Sequence, residues 1–159
     1  MKISTDEELN RFSISVHDFD DSQKFLSESF KYECGSIVQE ALLIAAIIYF
    51  ARPFSFNERD KQPKAIPNLK IDWFSEITQD ELDLFITLID IRNKCLAHAE
   101  YTYYPSSIDH ATGVLRGRRY SACNSPINVQ LFQSLLEKLI EQSHNKRADY
   151  SAAIKRKNR

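Results

Sequence analysis

One apolar stretch, SIVQEALLIAAIIYFA at residues 36–51, decides the fold. Apart from Ser36, Gln39 and Glu40, every position in it is apolar. The run is too long for a single strand, and it is rich in Ala and Leu, which favour helix. A helix that is apolar on almost every side lies at the centre of a domain. We therefore predict a central helix, which ends before Pro53 because proline disfavours helix at the preceding residue.

The segment before it, 18–31, has the spacing of an amphipathic helix. Phe19, Leu26 and Phe30 follow one another by seven and then four residues. This spacing places them on one helical face. Gly35 comes next, and it either separates this helix from the central one or weakens a single long helix.

Two more helices are predicted in the second half of the chain. Thr78 and Glu81 form a capping-box pattern, in which each side chain bonds the backbone of the other residue. The helix that they start should run to about Ala99. Pro126 would open the last helix as its first residue, and the apolar residues of 131–140 then recur at helical spacing.

The predicted fold is all-α: a helical bundle of four to five helices. Residues 101–125 break the helical pattern and indicate a long loop or a short hairpin before the last helix. The length of 159 residues fits one helical domain, 1–159, with a core of about 18–150. The ends, 1–17 and 151–159, are uncertain or flexible; 1–17 fit a helical turn or a strand, and we predict neither.

Composition excludes several classes of protein. Only 3 glycines and 5 prolines occur, which argues against collagen-like, low-complexity and turn-dense all-β chains. The 3 cysteines form no close pair and no cluster with zinc-ligand spacing, so neither a disulfide framework nor a metal site is expected. No signal-peptide pattern is seen, and the uninterrupted apolar run 41–51 is shorter than the ~20 residues of a membrane span. We expect a soluble cytoplasmic protein with no membrane partner.

The net charge of −1 conceals an asymmetry along the chain. Residues 1–100 carry 11 Lys and Arg against 18 Asp and Glu, whereas residues 101–159 carry 10 against 4. Basic residues cluster at 116–119 and again at 155–159. Such segments contact phosphates in nucleic-acid-binding proteins, and in other proteins they form a solvated helix face and a frayed tail.

The segment RNKCLAH, residues 92–98, holds the candidate site. Arg92 falls on or beside the apolar stripe of its predicted helix, where the guanidinium needs a carboxylate of this chain or a phosphate from outside. In an α-helix His98 stands about 120° around the axis from Arg92 and roughly 9 Å along it. One helix alone therefore makes a loose site. A second copy across a two-fold axis would bring both pairs into one cleft.

This segment resembles the RxxxxxH motif of HEPN domains, small α-helical bundles common in prokaryotic toxin and phage-defence systems. Arg92 and His98 match the motif, and Asn93 matches the polar residue that often follows the arginine. The apolar lead-in 88–91 is also similar. In HEPN toxins paired with nucleotidyltransferase antitoxins, a tyrosine commonly stands two places after the histidine. Here that position is Glu100, so modification of such a tyrosine is not expected.

The resemblance implies a homodimeric endoribonuclease that uses no metal and no other cofactor. RNA would be the substrate, and an antitoxin or a defence-system protein a possible partner. The RNA 2′-hydroxyl would attack the adjacent phosphorus and leave a 2′,3′-cyclic phosphate.

Roles for individual residues follow from the same resemblance. His98 would move the proton, since histidine titrates near pH ~6.5. Arg92 would hold the phosphate and offset its growing charge, and Asn93 would bond the phosphate or orient the histidine. Residues after the motif would supply base stacking and phosphate contacts, namely Tyr101, Tyr103, Tyr104, Arg116, Arg118 and Arg119.

The residues taken by themselves leave a structural alternative open. Arg92 would then form a buried salt bridge with a carboxylate of another helix, and His98 would cap a helix C-terminus, where the dipole favours positive charge. The chain would be a catalytically inactive binding or scaffold protein that engages RNA, a nucleotide or a protein partner. Bond breakage separates the two readings, because a binder shifts RNA on a gel without cutting it.

Overall fold

Four α-helices make up most of the part of the chain that the structure describes. The structure is a computed structural model, and it describes residues 5–55, 68–96, 106–117, 120–123 and 127–157. The helices are α1 (Thr5–Ser29), α2 (Ile37–Ala51), α3 (Gln79–Asp90) and α4 (Val129–Lys157). Shorter elements are 3₁₀ turns at Arg52–Phe54 and Ile71–Trp73, a π-helical turn at Ile91–Leu96, and strands β1 (Ser106–Asp109) and β2 (Val114–Gly117). The strands pair as an antiparallel hairpin. The predicted all-α bundle is confirmed, and of the two alternatives for 101–125, a long loop or a short hairpin, the described part contains a short hairpin.

The predicted central helix is α2, and only one of its faces is buried. Ser36 caps it, because the Ser36 hydroxyl accepts the Gln39 N–H at 3.2 Å. Its buried residues are Leu43, Ala46, Ile47, Phe50 and Ala51. At its start, by contrast, Ile37 is 88% exposed. One face of the helix is therefore buried in its second half and its first turns are peripheral, so the expected burial on almost every side is wrong.

The first helix is longer than the spacing of 18–31 predicted. α1 already begins at Thr5, so residues 5–17 form its first half. Its buried stripe includes Phe12, Val16, Phe19 and Leu26. Phe30, which was expected on this face, is 55% exposed because the helix ends at Ser29. Gly35, with φ of +80°, follows in a turn and separates α1 from α2.

The capping box at the start of α3 is present as predicted. The Thr78 hydroxyl accepts the Glu81 N–H at 3.3 Å, and a Glu81 carboxylate oxygen accepts the Thr78 N–H at 2.9 Å. The α-helix ends at Asp90 and continues as the π-helical turn to Leu96, rather than as α-helix toward 99.

The last helix begins three residues later than predicted. It starts at Val129 rather than at Pro126. Asn128 provides the cap, because its side-chain oxygen accepts the Leu131 N–H at 3.1 Å. The helix then continues to Lys157, so most of the segment that was expected to be uncertain or flexible is helical.

Aromatic rings fill the centre of the bundle around Phe50. This side chain is fully buried, and its ring centroid lies 6.4 Å from that of Phe19 and 5.1 Å from that of Phe132. Phe54 and Phe85 lie 5.9 and 6.0 Å from it. The cluster joins α1, α2, α3 and α4, because its rings come from all four helices and from the 3₁₀ turn after α2.

The chain between α2 and α3 returns to the core. The Leu69 N–H donates to the carbonyl oxygen of Pro53 at 2.9 Å. The ring centroids of Trp73 and Phe12 lie 6.3 Å apart. The neighbouring Phe74 is buried. Trp73 and Phe74 thus pack against Phe12 of α1.

Among the residues that the structure describes, one segment, Ile37–Phe54, is long and apolar enough to cross a membrane. The segment is longer than the uninterrupted apolar run 41–51 because it includes Gln39, Glu40 and Arg52. In this fold 33% of the segment is buried inside the domain. A core helix of a soluble protein meets the same criterion, so the absence of a membrane partner stays a prediction.

Candidate functional site

A buried carboxylate fixes the helix that leads to the motif. Glu81 is 1% exposed. Its oxygens accept the Ser134 hydroxyl at 3.0 Å and the Lys138 ammonium at 2.8 Å, in addition to the Thr78 backbone. Burial opposes the ionisation of Glu81, but the hydrogen bonds from Lys138, Thr78 and Ser134 outweigh it and hold the pKa of its carboxyl below the ordinary 4.5. The start of α3 is thereby attached to α4.

The first part of the motif lies in the π-helical turn Ile91–Leu96. In such a turn the hydrogen bonds run from i to i+5, so each turn holds more residues than in an α-helix. The 120° predicted between Arg92 and His98 therefore does not apply, because it assumed α-helical geometry through this segment. Ile91 is buried, and the turn contacts α2. π-Helical turns are rare and occur frequently at functional sites.

Arg92 and Asn93 lie side by side on this turn. The Nη1 of Arg92 donates to the Oδ1 of Asn93 at 2.9 Å. Arg92 is half-buried and Asn93 is exposed. Within the described ranges, none of the salt bridges involves Arg92. The buried ion pair of the structural alternative is therefore not found in that part of the chain.

Lys94 adds a second cation that the sequence analysis did not single out. Its ammonium lies 2.7 Å from a carboxylate oxygen of Asp90, one helical turn earlier, and its side chain is 47% exposed. The spacing of four residues between an acidic and a basic residue was the available signal. The turn thus presents Arg92, Asn93 and Lys94 in succession near the protein surface.

Of the other predicted site residues, only Arg116 belongs to the part of the chain that the structure describes. Arg116 lies in β2, where its backbone pairs with Ser107 of β1. The remaining predicted site residues lie outside the described residues, namely His98, Tyr101, Tyr103, Tyr104, Arg118 and Arg119. The geometry thus joins Arg92 to Asn93, and the roles of all the predicted site residues stay predictions.

No three His, Cys, Asp or Glu side chains of the described ranges are grouped so that they could hold a metal ion. Comparison of the chain with family models, with curated proteins and with solved structures finds no match. The case for a function therefore rests on the motif residues and on the geometry around Arg92.

Proposed function

We propose that the protein is a homodimeric, metal-independent endoribonuclease of the HEPN type, which acts in the cytoplasm as part of a toxin–antitoxin or phage-defence system. The observation that carries the proposal is the position of Arg92. It lies in a π-helical turn at the end of α3, half-buried and hydrogen-bonded to an exposed Asn93.

The guanidinium of Arg92 suits the phosphate of an RNA backbone. It presents five N–H donors in a planar fork that matches two phosphate oxygens. Asn93 accepts one of these N–H groups at 2.9 Å, which orients the fork. Partial burial lowers the local dielectric and strengthens a contact between the guanidinium and a phosphate.

The reaction consists of one displacement at phosphorus and two proton transfers. The 2′-oxygen attacks the adjacent phosphorus and loses its proton, while the bond to the 5′-oxygen breaks and that oxygen gains a proton. The products are a 2′,3′-cyclic phosphate and a 5′-hydroxyl. His98 performs the proton transfers, and Arg92 offsets the charge that grows on the phosphate oxygens.

Two copies of the chain complete the site. In this proposal a two-fold axis beside the motif places two arginines and two histidines around one cleft. An RNA strand would be held by both arginines at neighbouring phosphates.

The decisive experiment incubates the purified protein with total RNA and with tRNA in EDTA. Wild-type protein should cut RNA and leave cyclic phosphate ends. Arg92→Ala and His98→Ala should each reduce the rate at least ~100-fold, which is the usual loss when a general acid–base group or a charge-stabilising donor is removed.

Matched variants away from the motif control for general effects on RNA binding. Arg147→Ala and His17→Ala should keep the wild-type rate, because these residues lie on α4 and α1. Undiminished cleavage by His98→Ala would contradict the proposal. RNA that is shifted on a gel but stays intact would instead support the binding protein.

Expression in bacteria gives an independent readout. The wild-type chain should slow growth, and His98→Ala should relieve the effect. Equal toxicity of the two chains would mean that the growth defect does not come from RNA cleavage.

A further inference from the structure

Two cysteines outside the motif line one cavity. The cavity measures about 160 Å³ and lies between the turn that joins α1 to α2, the inner face of α2 and the segment 120–123 ahead of α4. Cys34 lies in the turn and Cys123 in that segment. Both thiols are free. The rest of the lining is mainly apolar and includes Leu43 and Phe132.

Gln39 connects the two cysteine-bearing segments. Its side-chain oxygen accepts the Gly35 N–H at 2.8 Å and the Cys123 S–H at 3.1 Å. Gly35 directly follows Cys34 in the chain. The Gly35 nitrogen and the Cys123 sulfur lie close to each other, because both donate to the same Gln39 oxygen. A half-buried thiol is thus held beside the backbone of an exposed one.

The two thiols differ in access and in restraint. Cys34 is exposed, in a turn that Gly35 closes with φ of +80°. Cys123 is half-buried, and its N–H donates to the Glu40 carboxylate at 3.2 Å. Burial, followed by the hydrogen bond to Glu40, raises the pKa of the Cys123 thiol. An oxidant therefore meets Cys34 first, and Cys123 is placed to react second.

We propose that Cys34 and Cys123 form a redox modification site, which closes to an intramolecular disulfide when the protein meets a hydroperoxide. The Cys34 sulfur attacks hydrogen peroxide, the O–O bond breaks, and Cys34 becomes a sulfenic acid as its thiol proton leaves with the departing hydroxyl as one water. The Cys123 sulfur then attacks the Cys34 sulfur, the S–O bond breaks, and its thiol proton leaves with the hydroxyl as a second water. In total two thiols lose two hydrogens, and the peroxide takes up the two electrons.

This disulfide would tie the α1–α2 turn to the segment between β2 and α4. The closed loop would contain α2, α3 and the motif, because these all lie between residues 34 and 123. The proposal does not depend on ribonuclease activity, since it rests on the cavity and on the Gln39 bridge alone.

The test treats the folded protein with hydrogen peroxide and compares it with three serine variants. Wild type and Cys95→Ser should each lose two titratable thiols. They should migrate faster on a non-reducing gel, return to the original position with dithiothreitol, and yield a peptide that joins residues 34 and 123 in mass spectrometry. Cys34→Ser and Cys123→Ser should show no faster band.

Serine at 123 keeps a donor for the Gln39 oxygen, and circular dichroism of each variant checks that it is folded. The proposal is overturned if peroxide yields a dimer joined through Cys34, if Cys34 goes to the sulfinic acid while Cys123 stays reduced, or if the bridge includes Cys95. It is also overturned if the 34–123 bridge forms equally fast in urea, because the folded cavity would then play no part.

Discussion

The ammonium of Lys138 on α4 lies 2.8 Å from the Oε2 of Glu81, the residue that also caps the start of α3. One buried carboxylate therefore serves the local structure of one helix and its attachment to another. Because the motif follows from the far end of the same helix, the position of Arg92 depends on this attachment.

Glu81→Gln should destabilise the fold by about 2 kcal/mol at neutral pH, since hydrogen bonds to a buried charge are lost. The pKa of Glu81 is lowered in the folded state. Its contribution is therefore complete above the unfolded value near 4.5 and is lost as the pH falls through the lower folded value. Urea unfolding at a series of pH values should show the gap between wild type and variant closing in acid. Exposed Glu137→Gln is the control, and a gap that does not change with pH would contradict the assignment.

Phe50→Ala should cost about 3–5 kcal/mol, because it removes the ring at the centre of the aromatic cluster and leaves a cavity. Ile37→Ala on the same helix should stay within about 0.5 kcal/mol of wild type, since that side chain is 88% exposed. Thermal or urea unfolding measures both. Similar losses for the two variants would mean that the exposed start of α2 is covered by another surface in solution.

Glu40→Gln should loosen the segment ahead of α4. The Glu40 carboxylate accepts the Ser121 hydroxyl and the Cys123 N–H at 3.2 Å each, as well as the Ala122 N–H. An amide would face these donors with an NH₂ group on one side. Amide hydrogen exchange at Ala122 and Cys123 should therefore be faster in the variant, whereas exposed Glu33→Gln should leave it unchanged.

The same carboxylate predicts a pH dependence of this protection. Burial opposes the ionisation of Glu40, but hydrogen bonds from Cys123, Ala122 and Ser121 hold its pKa below the ordinary 4.5. Protection in the wild type is therefore complete above that value and falls as the pH drops through the lower folded one. After correction for intrinsic exchange rates, a flat profile would show that Glu40 does not hold the segment.

Asn93→Ala should lower kcat/KM for RNA about tenfold if the proposed function holds, since a hydrogen bond to a charged group contributes about 1.5 kcal/mol. Asn93→Asp should lower it further, because a carboxylate beside Arg92 competes with the phosphate. Asn93 is exposed, so both variants should unfold at the wild-type temperature. Asn145→Ala, exposed on α4, is the matched control. Full activity of Asn93→Asp would mean that Arg92 does not bind the phosphate.

Local signals explain which parts of the fold were predictable. The capping box of Thr78 and Glu81 and the cap and apolar content of α2 each lie within a few residues of the structure that they specify. The start of α1 carries a misleading signal, because its serines alternate with apolar residues as in a strand. In the fold, Ser13 and Ser15 donate to the carbonyl oxygens of the residues four places earlier, both at 2.8 Å. These bonds satisfy the hydroxyl groups inside a helix.

Long-range contacts account for further differences. Arg11 is buried on α1, where its guanidinium donates to the carbonyl oxygen of Pro53 beyond the end of α2. No local sequence pattern could indicate this contact, because the two residues are 42 positions apart in the chain. The start of α4 at Val129 has a local cause instead, since the Asn128 side chain caps the helix there by accepting the Leu131 N–H.

The sequence motif pointed to Arg92 and Asn93 as candidate residues, but it did not indicate the π-helical backbone on which they lie. Arg92 and Asn93 were singled out from the motif, and they are hydrogen-bonded. The π-helical turn that carries them has no residue signature in the segment. It coincides with the burial of Ile91 against α2, which depends on how the helices pack.

The π-helical turn also has a consequence for changes in chain length. An α-helix holds no spare residue, so a deletion within α3 rotates everything that follows it by about 100°. A π-helical turn behaves as an α-helix with one residue inserted. The segment Ile91–Leu96 is therefore the place in this helix where the loss of one residue would restore regular α-helical bonding rather than break it. The deletion of one residue should therefore disturb the helix less in the π-helical turn than in α3, and this turn overlaps the motif 92–98.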